Sequence, residues 1–106
     1  MNHYQPAGDA VFMVLIAGRK QKDALLTALL ETGAHLINTT YARGTVKASF
    51  LKSAFGLVPE EHKVVVTCVL TQAKACAALR MLSTRFHFDQ PNTGVAFTIP
   101  VDRLSF

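Results

Sequence analysis

Cysteine, tryptophan and clustered charge are scarce in this chain, and each scarcity closes off a class of function. Two cysteines, Cys68 and Cys76, cannot build the disulfide framework of a small secreted domain. Both stand among apolar neighbours in sequence, which predicts reduced core thiols. The four histidines, His3, His35, His62 and His87, include no close pair at ligand spacing, so no metal site is expected. No serine sits in a G-x-S-x-G elbow and no motif sets a histidine beside a cysteine, which leaves nucleophilic catalysis without support. Aromatic residues make up 8% of the chain and there is no tryptophan. The basic residues behind the net charge of +4 are scattered, so the charge does not amount to a nucleic-acid interface. The start, MNHYQPAGDA, lacks a basic region followed by an apolar run, and no stretch approaches the roughly 18 apolar residues of a membrane span. A cytoplasmic protein without direct membrane insertion is the expectation.

What the chain has in plenty is apolar surface. Half of its 106 residues are hydrophobic and the mean hydropathy is +0.26, high for a small monomer, so part of that surface is expected between subunits of an oligomer. The length suits one domain over 1–106.

Residues 1–9, broken by Pro6 and Gly8, read as a loose tail. VFMVLIA at 11–17 is apolar on both alternating faces, as in a central strand covered on both sides by helices or a neighbouring subunit. Ala24, Leu25, Ala28 and Leu29 mark one face of a helix over 22–32 that Gly33 closes. Residues 35–41 alternate as a half-buried strand, and KVVVTCVL at 63–70 is rich in β-branched residues. Thr71 can cap a helix over 72–85, with Ala75, Leu79, Leu82 and Phe86 at helical spacing and Ala78 leaving room for close packing. A last strand over 95–101 is pushed toward a sheet edge or end by Pro100. The order β-α-β-β-α-β predicts an α+β, ferredoxin-like fold, an antiparallel sheet with both helices on one face.

The stretch 42–62 is too long for a hairpin turn, since connections in compact domains usually run about 2 to 6 residues. Phe50, Leu51, Ala54 and Phe55 follow helical spacing, with Ser49 or Thr45 as cap and Gly56 as stop. Two readings stand: a short helix tucked onto its own core, or an adhesive projection carrying Lys47, Phe50, Leu51, Lys52 and Phe55 to a partner. Three places could recognise an anion. Gly18 and Arg19 lie between strand one and helix one. Arg43 with Gly44 opens the long stretch, and Lys63 closes it, near Arg43 in a hairpin geometry. Asn92, Thr93 and Gly94 precede the last strand, where glycine permits a positive φ or the close approach of a ligand.

The order of elements, the ARG at 42–44, Lys63 and the closing PNTGVAFTIPVDRL resemble the nitrogen-regulatory PII signalling proteins and their PII-like relatives, over about 11–104. The resemblance implies a homotrimer in which the loop between strands two and three, the T-loop, docks a protein target such as a membrane transporter or an enzyme. It also implies no obligatory cofactor and no enzymatic activity, but ATP, ADP or AMP as effector in a cleft between subunits. Carried over by position, the ligand-binding residues would be Thr39, Thr40, Arg43, Gly44, Lys63, Thr93, Gly94 and Arg103. The chain departs from the family where a Gly-rich, basic G-D-G-K loop would precede the last strand: QPNTGV stands there, with Val95 in the place of the lysine. Nor does the long loop carry the tyrosine that is uridylylated in enteric members, since Tyr41 lies before it. Two other ferredoxin-like readings are a CutA-like trimer linked to metal tolerance and a small acylphosphatase-type enzyme with Arg19 after strand one as its phosphate cradle.

Overall fold

A computed structural model describes residues 4–6, 8–43, 62–90 and 93–105. The elements are β1 (Tyr4–Pro6), β2 (Ala10–Gly18), a 3-10 turn (Arg19–Gln21), α1 (Lys22–Thr32), β3 (His35–Arg43), β4 (His62–Thr71), α2 (Gln72–Arg85), β5 (Gly94–Pro100) and β6 (Arg103–Ser105). Four strands form an antiparallel sheet in the order β3-β4-β2-β5, the ferredoxin-like arrangement expected from the βαββαβ pattern.

Alternation along the two central strands makes the core. Val11, Met13, Leu15 and Ala17 of β2 are buried beside Leu70, Cys68, Val66 and Val64 of β4, which face them in register. Leu25, Ala28 and Leu29 of α1 and Ala75, Ala78 and Leu82 of α2 close over the same side, so both helices lie on one face. Gly33 ends α1 at φ 91, a left-handed cap that glycine adopts without strain. At the start of α2 the Thr71 hydroxyl accepts from the Lys74 N–H at 3.3 Å, as the sequence predicted.

On the other face of the sheet the register builds three apolar rows. Val69, Phe12 and Ile99 form one, Thr67, Val14 and Phe97 the next, and Val65, Ile16 and Val95 the third. Phe97 and Ile99 are exposed, and no helix or strand among the described residues covers these rows. The apolar character of 11–17 on both alternating faces thus has one side in the core and one on this open surface.

Four expectations need correction. The tail holds a strand: Tyr4–Pro6 pairs with Arg103–Ser105 in a two-stranded ribbon, too short for periodicity to reveal. The strand at 35–43 is an edge, mostly exposed on both sides rather than half-buried, and is irregular between His35 and Asn38, where Leu36 takes φ 52. Ala24, placed on the buried face of the first helix, is exposed. Cys76 is exposed too, because one helical step turns it off the buried stripe of Ala75, Ala78 and Leu82; Gln72 Nε2 lies 3.8 Å from its sulfur.

Cys68 is buried, and desolvation pushes its thiol up to about 11. An alkylating reagent should therefore modify one thiol per native chain, at Cys76, and two after denaturation. Because the folded pKa lies above the unfolded value near 9.0, this thiol should lower stability as pH rises from about 9 to 11 and leave it unchanged below. Rapid native labelling of both thiols, read by mass spectrometry, contradicts this burial.

Candidate functional site

At one end of the sheet β2 and β3 finish while β4 and β5 begin, so three connections converge there. The register places Lys63 opposite Gly18 on one side and Ala42 on the other, with Arg43 opposite His62 and Ala17 opposite Gly94. Lys63 is only 7% exposed. The missing side chain of Gly18 and the methyl of Ala42 leave room for its aliphatic stem between them. Lys63 and Arg43 are thus one register step apart, at alternating positions of the ladder.

The neighbouring connection is held by its own bonds. The Thr93 hydroxyl lies within donating distance of the His87 and Gln90 carbonyls, the latter at 3.0 Å, and His87 adopts φ 59. Gly94 is buried, and of the two reasons expected for a glycine here the positive φ does not apply. A Cβ on it would meet the Phe88 ring at 2.5 Å, so glycine is needed here because a side chain of the same domain packs on its backbone.

Thr39 and Thr40 lie exposed on β3, opposite Val66 and Val65. Arg103 does not join the others within the chain. It is exposed in β6, 3.7 Å from Asp102, beyond the end of the sheet where the Val101 N–H bonds the Ala10 carbonyl. The length of β2 from Ala10 to Gly18 separates it from Lys63, about 26 Å at 3.3 Å per residue. Gly44, Lys47, Phe50, Leu51, Lys52 and Phe55, and with them the short helix expected after Thr45 or Ser49, lie outside the described residues.

Sequence reasoning missed the grouping around Tyr41. This residue lies opposite Val64, on the helix side of β3. The Arg19 guanidinium carbon sits 4.3 Å from the centre of its ring, and the Lys22 ammonium donates to its hydroxyl at 2.9 Å. That bond first, then the attraction of the tyrosine oxygen and of Asp23, raises the Lys22 pKa above its ordinary value. Nothing in spacing joins residues 19, 22 and 41; only the pairing of β3 with β4 does. Among the described residues no group of three or more His, Cys, Asp or Glu side chains comes together, and no helix is long and apolar enough to cross a membrane.

No family model matches the chain, and no curated protein matches it in sequence. Solved structures do match. The apo form of CPII from Thiomonas intermedia K12, a nitrogen regulatory PII-like protein, aligns with a TM-score of 0.68 at 11% identity, covering 100% of this chain and 99% of that one. CPII bound to ADP, AMP and acetate aligns with a TM-score of 0.65 at 12% identity, covering 97% and 90%. PII from Arabidopsis thaliana, bound to citrate, aligns with a TM-score of 0.63 at 16% identity, covering 90% and 79%. At these identities the shared property is the fold.

Proposed function

We propose that this chain is a PII-like signal-transduction protein, one domain over 1–106 working in the cytoplasm as a homotrimer and not as an enzyme. Its effector is a small anion, with ATP, ADP or AMP the leading candidates, and its output passes to a protein target, such as a transporter or an enzyme, through the segment 42–62. The observation that carries this reading is the convergence of Lys63, Thr93, Gly94 and the facing ends of β3 and β4 at one end of the sheet. A ligand held there touches both strands from which residues 44–61 depart, so its binding can bias their arrangement. The likeness to CPII, solved with ADP and AMP, supports the ligand class. The apolar rows of the open sheet face support the assembly. In a trimer Arg103 serves the site of a neighbouring copy, which removes the difficulty of its distance within one chain.

Affinity should be weaker than in a protein with the family's lysine before the last strand. Val95 stands opposite Ile16 in an apolar row and supplies no charge-assisted bond, a loss of about 1.5 to 3 kcal/mol, or roughly tenfold to hundredfold. Calorimetric titration with ATP, ADP and AMP tests the reading. Saturable binding of one of them, weakened by Lys63→Ala, is expected. No heat from any of the three at millimolar concentration overturns the nucleotide assignment.

For the target, the informative variants are Phe50→Ala and Phe55→Ala, since buried aromatic anchors dominate interface energetics. Each should abolish capture of the target while leaving the melting temperature nearly unchanged. A loss of about 3 to 5 kcal/mol in stability instead places these rings in the protein's own core.

A further inference from the structure

We propose that Arg19 and Lys22, held around the ring of Tyr41, form a binding site for a small oxyanion, a phosphate or carboxylate group, on the helix side of β3. Lys63, the buried cation of the nucleotide reading, does not contribute: Lys63 and Ala42 alternate in register with Val64 and Tyr41 and so belong to the opposite face of the sheet.

Like charge is crowded around Tyr41. The Arg19 guanidinium carbon is 4.3 Å and the Lys22 nitrogen 5.5 Å from the same ring centre. The two cations therefore lie within about 10 Å of one another, inside the distance at which salt screens fully. Lys20, in the same turn, adds a third positive charge. Among the described residues the acid paired with this group is Asp23, 3.6 Å from Lys22, and its side chain is 92% exposed, a pair that solvent screens.

The polar inventory is also incomplete. Among the described residues the buried Arg19 Nε has no hydrogen-bond partner; the buried Gln21 Oε1 has none either, but as an acceptor it is not a group that an oxyanion satisfies. The guanidinium makes no hydrogen bond among the described residues and lies over the tyrosine ring. What it offers outward is its terminal NH2 groups, which suit the paired oxygens of a phosphate or carboxylate. Lys22 gives one of its three donors to the Tyr41 hydroxyl and part of its charge to Asp23, and a third donor has no partner among the described residues. An oxyanion bridging the guanidinium and the ammonium relieves their repulsion and uses donors that have no partner among the described residues.

The site reports on itself. The chain has two tyrosines and no tryptophan, so NMR of the Tyr41 ring, assigned by its loss in Tyr41→Phe, can be followed during titration with inorganic phosphate and, separately, with malonate, at constant ionic strength in chloride. A saturable shift with a dissociation constant of about 1 mM is expected, the affinity that two charge-assisted bonds supply. Whichever anion saturates identifies the ligand class. Lys22→Gln should weaken it about tenfold or more, whereas Arg85→Gln, which removes an exposed cation on α2, should leave it unchanged. No saturable shift with either anion overturns the site, and so does an equal loss in the two variants. The nucleotide titration is read separately, so either site can fail alone.

Discussion

Phe97→Asp should convert the proposed homotrimer into single chains and remove the proposed nucleotide binding in the same step. The side chain stands at the end of the row Thr67, Val14, Phe97, with Ile99 and Val95 beside it on the same edge strand. In the single chain Phe97 is 39% exposed, so a carboxylate there still reaches water and adds little cost to folding. Covered by another copy, the same carboxylate is buried among apolar side chains without a partner, at a cost of several kcal/mol at every copy of the interface. Light scattering should find the wild type at about three times 11.5 kDa and the variant near 11.5 kDa. The helical signal and the melt of the variant show whether its own core survives. Because the proposed effector cleft lies between subunits, calorimetry on the dissociated variant should show no nucleotide binding. A wild type that is already monomeric at micromolar concentration sinks the trimer and the intersubunit cleft together.

The fold was legible where pattern and burial agree. KVVVTCVL and VFMVLIA announce central strands because one face is buried in the core and the other is also largely apolar, and Thr71 and Gly33 mark helix ends through local chemistry that needs no tertiary information. Legibility fails where pairing decides. The ribbon of β1 with β6 joins residues about 100 apart in sequence over three positions each, so neither strand carries a period. Leu36 reads as an ordinary strand residue, yet takes φ 52 at an irregularity that only the β3–β4 register reveals. For the site, Lys63, Arg43 and Thr93 could be named in advance because cations and small polar residues at connections are conspicuous. Tyr41 was passed over, since its partners are 19 and 22 positions away. Arg103 was assigned by resemblance, which carries no information on which copy of the chain it serves.

Gly94→Ala separates a structural from a ligand-driven need for glycine. The Cβ of alanine at this position would lie 2.5 Å from the Phe88 ring, closer than nonbonded carbon atoms approach. Retreat of the half-buried ring disturbs its packing, because it rests against the core and meets Phe86 edge to face with ring centres 6.5 Å apart. Forcing a methyl into such a contact typically costs about 1 to 3 kcal/mol, which in a domain of this size lowers the melting temperature by roughly 4 to 20 °C. Phe88→Leu, with a shorter side chain, should restore part of that loss in the double variant. The two substitutions should therefore be non-additive, as expected for residues in contact. A glycine kept only for the approach of a nucleotide predicts the opposite pattern: an unchanged melt, lost binding, and no rescue from position 88. Thermal melts of the two single variants and the double variant, each paired with a titration, distinguish the cases. An unperturbed melt for Gly94→Ala overturns the packing explanation.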